Sequence, residues 1–387
     1  MRRIGVAERR ARLGRRHHLA GPRAKTVAAV ADSVVALHST DPASVFLSVH
    51  ARSGLDVPAI EAALYERRSV VRMLGMRRTM FVVATELAPV VQSACTDAIA
   101  VNLRRQYTKF LVEAGIGDGA WLADVEEETL RALLARGSAT GAQLSTDVPR
   151  LRTAVSMNEG KAYAGTQNIT TWVLLTLAAE GRIMRGRPRG SWISSQYHWS
   201  PTATWLSGDL EHPPREAAQA ELVRRWLAAF GPGTVADLRW WTGLTGAAVK
   251  QALTKLGAVE VELDEGSGVV LPGDEGPVRS PGRWVALLPA LDPTAMGWSQ
   301  RSWYVGGHTP ALFDRSGNIG PTVWSDGRIV GGWVQRADGE IAYRLLEDVG
   351  SDIVSEVDRA AERLRAWIGP VRVSSRFRTP LERELSA

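Results

Sequence analysis

The residues with the clearest chemical potential are guanidiniums on predicted loops. Arg185-Gly186-Arg187-Pro188-Arg189 puts three arginines on a tip stiffened by Gly and Pro, beside Trp192, Tyr197, His198 and Trp199. Planar guanidiniums hold phosphate oxygens bidentately, and neighbouring aromatics stack or pack, so the pattern fits contact with a phosphodiester backbone. Arg77-Arg78 forms a second basic tip between the apolar runs VVRMLGM (70–76) and TMFVV (79–83). There Met76 is a candidate wedge between stacked bases, and Arg72 either faces the same cleft or pairs with a carboxylate. The tail adds Arg372, Arg376, Arg378 and Arg383. Each group has an ordinary alternative: a solvated hairpin tip, aromatics that pack in a core, a basic strip facing water.

The rest of the composition narrows the class. Lys and Arg number 47 against 41 Asp and Glu, a formal net charge of +6 that favours a polyanionic partner. All but five of the 47 are arginine, which fits both a GC-rich genome and selection for phosphate and guanine contacts. In 387 residues, 45% hydrophobic and 23% charged, the balance is that of a globular protein of several domains, not a disordered chain. There is no apolar run long enough to span a bilayer, and the basic N-terminus lacks the apolar core of a secretory signal. A single cysteine, Cys95, excludes an intramolecular disulfide and a Cys-based zinc cluster. No phosphate-loop, dinucleotide or metal-ligand spacing appears, so no cofactor and no metal are expected. The reading is a cytoplasmic, nucleoid-associated protein, a monomer, whose partner is double-stranded DNA, with no membrane contact.

These tips need elements to hold them. Helical spacing over 6–19, 26–38, 43–52 and 57–66 is followed by the two β-rich runs of the first hairpin, a pattern that predicts a winged helix. It recurs. Helices at 123–136, 141–147 and 168–180 precede a strand, the Arg-rich tip and a second strand in RIMRGRPRGSWISSQYHW (182–199). Helices at 215–229, 234–244 and 245–257 precede the strand AVEVEL (258–263). From about 265, short strands between Gly, Pro, Asn and Asp predict a small β-barrel or curled sheet, then a helix at 351–368 and the basic tail. The predicted fold class is α+β: tandem winged-helix domains followed by a small β-barrel-like domain. The expected boundaries are 1–115, 116–210, 211–264 and 265–387.

The strings VVALHSTDPASVFLSVHAR, RMLGMRRTMFVV, LLPALDPTAMGW and RFRTPLERE, in this order, resemble the bacterial winged-helix family of AlkZ- and YcaQ-like DNA glycosylases. The resemblance implies tandem winged helices and a β-barrel forming a C-shaped clamp around duplex DNA. It also implies excision of alkylated purines (N7 or N3, bulky or crosslinked), for repair or for self-resistance to alkylating natural products, without metal or cofactor. The family's catalytic motif is Gln-x-Gln or Gln-x-Asp at the end of the second helix. It falls here on His38-Ser39-Thr40, followed by Asp41, which makes His38, Thr40 and Asp41 the candidate catalytic residues. An imidazole titrates near neutrality and can accept a proton from water, and a carboxylate can stabilise an oxocarbenium-like sugar. Thr40 can hydrogen-bond a water but cannot act as its base.

Asp41-Pro42 is also an ordinary helix start, with Asp as N-cap and Pro at the first helical position. His38 has a packing role as its alternative. A second function therefore stays open: a non-catalytic winged-helix DNA-binding protein, either a transcription factor or a drug-sequestering resistance protein that keeps the clamp without the glutamines. A third, a small-molecule enzyme built on the β-domain, has only aromatic content behind it.

Overall fold

The computed structural model describes residues 1–157 and 165–387. The expected second domain, 116–210, therefore contains a stretch, 158–164, outside the described residues. Three times the chain runs helix, strand, helix, helix, strand, strand. The first repeat comprises helix Val27–Ser33, strand Leu37–His38, helices Pro42–Ser53 and Val57–Glu61, and strands Val70–Gly75 and Thr79–Ala84. The second comprises Gly119–Arg136, Ala139–Thr140, Gly141–Asp147, Thr170–Ala179, Ile183–Pro188 and Tyr197–Pro201. In both, the last strand lies in the middle of the sheet, antiparallel to the other two.

The third repeat has helices Arg215–Phe230, Val235–Thr242 and Gly246–Leu256 and strands Val259–Leu263 and Gly266–Val270. Its first strand is reduced to one bridge, Gly233 to Val269, and Arg2–Arg3 adds in parallel on the far edge.

The first repeat departs from expectation at one informative place. A continuous helix over 26–38 is not formed. Thr26 caps the helix start, accepting from the Ala29 amide at 3.1 Å, but the helix stops at Ser33. Val35 then turns through a left-handed conformation (φ 63°), and Leu37 and His38 pair with Val82 and Phe81. His38 thus ends a strand, not a helix. The predicted helix over 57–66 forms as Val57–Glu61 and continues through a wider π turn, Ala62–Glu66. The long helix Asp97–Glu113 was not expected at all.

The expected barrel is absent. Strands Val285–Leu288, Thr322–Ser325, Arg328–Gln335 and Ile341–Leu345 form an antiparallel meander whose two end strands do not pair. Four strands are too few to close around a packed interior. The sheet is covered instead: helices Pro42–Ser53 and Ser351–Ile368 pack on its first strand and helix Pro380–Ser386 on its third. That cover explains the near-continuous apolar sequence of these strands, buried almost residue by residue instead of alternately.

A buried ion pair joins this sheet region to the first repeat. Arg52 and Asp292 are both fully buried, with Nη2 to Oδ1 at 2.7 Å. Ser48 and Thr294 complete the network: the Ser48 hydroxyl donates to Asp292 Oδ2 at 2.7 Å, and Arg52 Nη2 donates to Thr294 Oγ1 at 2.6 Å. Burial opposes the Asp292 charge, but the Arg52 guanidinium and its hydrogen bonds hold the carboxyl below the usual range.

Candidate functional site

The candidate motif lies where the first short strand meets helix Pro42–Ser53. Asp41 is the N-cap of that helix: Oδ1 accepts from the Ala43 amide at 3.1 Å. Its second oxygen, Oδ2, accepts from the backbone N–H of Arg376 in the tail at 3.3 Å. The side chain is 7% exposed, and burial raises its pKa against the pull of those two amides and of the Arg376 charge. Capping explains the first contact but not the second. Asp41 also lines a cavity of about 30 Å³ together with Ser44, Ser375, Arg378 and Glu382, room for a water molecule.

His38 sits edge-on to Phe81, with ring centroids 5.4 Å apart, and its Nδ1 accepts a long contact from the Thr40 amide at 3.5 Å. Burial, helped by the nearby Arg77 cation, lowers its pKa to about 4, so at neutral pH the ring is uncharged. With Nδ1 accepting, the ring proton is on Nε2, which leaves His38 a hydrogen-bond donor through that nitrogen. Thr40 lies between the two, partly exposed.

Ser39 connects this motif to the second repeat. Its hydroxyl accepts from Arg72 Nε at 2.6 Å, and the Arg72 guanidinium stacks on the Tyr197 ring at 4.4 Å. Arg185 stands over Tyr197 and Trp199 at 5.5 and 5.0 Å. Its pKa is lowered to about 10 by burial and by the Arg72 charge. The Tyr65 and Tyr197 hydroxyls and both terminal nitrogens of Arg72 are buried without a protein partner.

Several residues predicted to touch DNA stand differently. Met76 is fully buried, so it is a core side chain and not a wedge. Arg72, 3% exposed, holds Ser39 rather than reaching solvent. Arg187 is exposed, but it pairs with Glu61 at 2.7 Å and Glu66 at 3.1 Å and lies over the Tyr65 ring.

Arg77 and Arg78 form the expected exposed tip, both with positive φ (55° and 58°). The Arg77 guanidinium lies 4.2 Å over Trp240, so the first and third repeats meet there. The tip also lines a cavity of about 700 Å³, with Leu103, Gln106, Arg215 and Thr245 among its other walls. Arg189, Arg376 and Arg378 are exposed.

The fold thus brings together His38, Thr40, Asp41, Arg77, Arg376 and Arg378, with Arg72 and Arg185 behind them. Ser39 and Tyr65 were missed by sequence reasoning. Ser39 lies inside the motif and carries a signal, whereas Tyr65 is one apolar-face residue among many in a predicted helix. Among the described residues, no three His, Cys, Asp or Glu side chains are grouped so as to hold a metal ion.

Comparisons with known proteins bear on the family and the fold. The chain is 26% identical over 215 residues to an interstrand DNA cross-link repair glycosylase of Streptomyces sahachiroi, an alignment covering 53% of this chain and 57% of that protein. Its fold matches the solved structure of the Streptomyces sahachiroi DNA glycosylase AlkZ with a TM-score of 0.73, at 20% identity, over 94% of this chain and 97% of that one. The AlkZ-like DNA glycosylase family matches residues 31–367. With most of its length inside that match, the chain belongs to the AlkZ-like DNA glycosylase family.

Proposed function

We propose that this protein is a monofunctional DNA glycosylase that hydrolyses the N-glycosidic bond of alkylated purines, bulky or crosslinked ones included, in duplex DNA. The observation that carries the reading is Asp41. It is a buried carboxylate whose two oxygens are fixed from two different parts of the chain, beside an uncharged His38 and within an arginine-rich face. Family membership gives the reaction class.

The chemistry needs little from the protein. A purine alkylated at N7 or N3 is cationic and departs as a neutral base when C1′–N9 breaks. Asp41 stabilises the oxocarbenium-like sugar and takes the proton of the water whose oxygen forms the new C1′–O bond. Its raised pKa suits it to that proton better than His38, which burial makes a poor base. His38 donates through Nε2, and Thr40 hydrogen-bonds the water. Arg77, Arg78, Arg185, Arg189, Arg376 and Arg378 contribute phosphate contact and positive field. Arg187 joins them only by leaving its two glutamates.

The thrice-repeated order of helices and strands supports tandem winged helices, with the boundaries 1–115, 116–210, 211–264 and 265–387 drawn between them. No described helix is long and apolar enough to cross a membrane. A monomer in the cytoplasm, on nucleoid DNA, fits this reading.

The absence of glutamine from the motif favours a second reading, a DNA-binding protein without catalysis, in which Asp41 only caps. Incubation with duplex containing N7-alkylguanine separates the two. The glycosylase leaves abasic sites and prefers damage over sequence. A binder releases no base, and a regulator footprints a preferred sequence.

A further inference from the structure

The wedge position assigned to Met76 by sequence is vacated by burial, and the structure offers one residue with the opposite properties. Phe377 is 37% exposed, the most exposed Phe, Trp or Tyr among the described residues. It lies between Arg376 and Arg378, both exposed, with the Arg376 guanidinium 5.7 Å from its ring.

The segment that carries it is stapled on both sides. Val373 donates its amide to Gln335 Oε1 at 2.8 Å, and the Arg376 amide donates to Asp41 Oδ2 at 3.3 Å. Thr379 and Glu382 then close a buried capping box that starts helix Pro380–Ser386. Between these ties the side chains of Arg376, Phe377 and Arg378 are exposed, and Phe377 directly follows the residue whose amide contacts Asp41.

An exposed phenyl ring costs hydration free energy when it has no apolar partner. Held on a fixed tip between two cations, it has the chemistry to enter a base stack, ring against base and guanidiniums against the flanking phosphates. We propose that Phe377 is the residue that wedges into the duplex at the lesion, displacing the damaged nucleotide towards Asp41 while Arg376 and Arg378 hold the adjoining phosphates. This rests on the glycosylase reading for its substrate, but it makes a separate claim, that base stacking is broken by this ring.

The test uses the full chain and a duplex with 2-aminopurine next to a tetrahydrofuran abasic-site analogue, with fluorescence reporting unstacking. Binding to undamaged duplex, thermal unfolding and base release from N7-methylguanine duplex are measured alongside. Wild type should raise the fluorescence. Phe377→Ala should cut the rise about tenfold, the loss expected for one stacking contact, with unfolding temperature unchanged and undamaged-duplex binding changed less. Phe377→Trp should keep the rise.

A wild-type rise in Phe377→Ala overturns the proposal, as does wild-type binding and base release with no rise. A Phe377-dependent rise without base release supports the wedge and removes the catalytic reading. Failure of wild type to bind duplex overturns both.

Discussion

The first and second repeats share their order of elements and their sheet arrangement, yet they solve the junction between first strand and second helix differently. In the second repeat the last residue of the strand, Thr140, is itself the N-cap. It closes a capping box with Gln143, and its partners all lie within the next three residues. The third repeat also builds a capping box, Thr234 with Asp237, one residue after the Gly233 bridge, but Asp237 is buried and its other oxygen accepts from the distant Ser299 and Gln300. In the first repeat the cap comes three residues after the strand ends, and it is a buried carboxylate tied to a segment 335 residues away. A helix start needs none of that. The extra residues between strand and cap, Ser39 and Thr40, are anchored at Ser39 by a buried arginine from the next strand and, through it, by the second repeat. The displaced cap and the buried arginine behind it set the first repeat apart from the other two, and there we propose the functional copy lies.

The comparison can be broken at graded strength. Asp292→Asn removes the partner of the buried Arg52 that anchors the first repeat, an ion pair where the third repeat has only hydrogen bonds from Ser299 and Gln300 to Asp237. A loss of about 3–5 kcal/mol is expected in chemical denaturation, the cost of an uncompensated buried cation.

Arg72→Met keeps the bulk but removes the donor to Ser39. Base release should fall about 10- to 100-fold through misplacement of the motif, while binding to undamaged duplex is retained. Retained activity would mean that Ser39 needs no holding.

Thr140→Ala deletes the cap of the second repeat and should cost about 1 kcal/mol with base release unchanged.

A smaller effect concerns pH. His38 has its pKa lowered from 6.5 to about 4 in the folded protein, so the unfolded chain binds the extra proton first. The stability associated with a neutral His38 is full above about pH 6.5 and is lost as pH falls through the window down to 4. His17 and His50, lowered to about 3 and about 4, add to the same slope. Replacing His38 by Gln should make denaturation less steeply pH-dependent across that window, with base release of wild type showing no inflection near pH 6.5.

Much of the scaffold was legible because its signals are local. The hairpin 70–84 shows two β-rich runs around Arg77-Arg78, and helix Ser351–Ile368 has both boundaries as expected from its periodicity. The misreading at 34–38 has a simple cause: Val34, Val35 and Leu37 continue the apolar helical spacing, and a short apolar run does not distinguish a helix end from a buried strand. Strand composition foretold the C-terminal strands but not their closure, which depends on whether the first and last strands pair across some sixty residues of chain. At the site, residue type found His38, Asp41 and the exposed arginines. It could not find that Arg72 turns inwards to Ser39, that Arg187 is held by Glu61 and Glu66, or that the Arg376 amide reaches Asp41, because those contacts join residues 33 to 335 positions apart.

The central claim is that Asp41 acts on the sugar as well as starting a helix, and Asp41→Asn tests it most directly. Asparagine keeps the cap on Ala43 through its one oxygen but turns a donor towards the Arg376 amide, so a loss of about 1–3 kcal/mol is expected in a protein that still folds. The charge and the proton acceptor are gone, so single-turnover release of N7-methylguanine from duplex should fall about 100-fold or more. Wild-type release by this folded variant would contradict the account and leave Asp41 as a cap like Thr140.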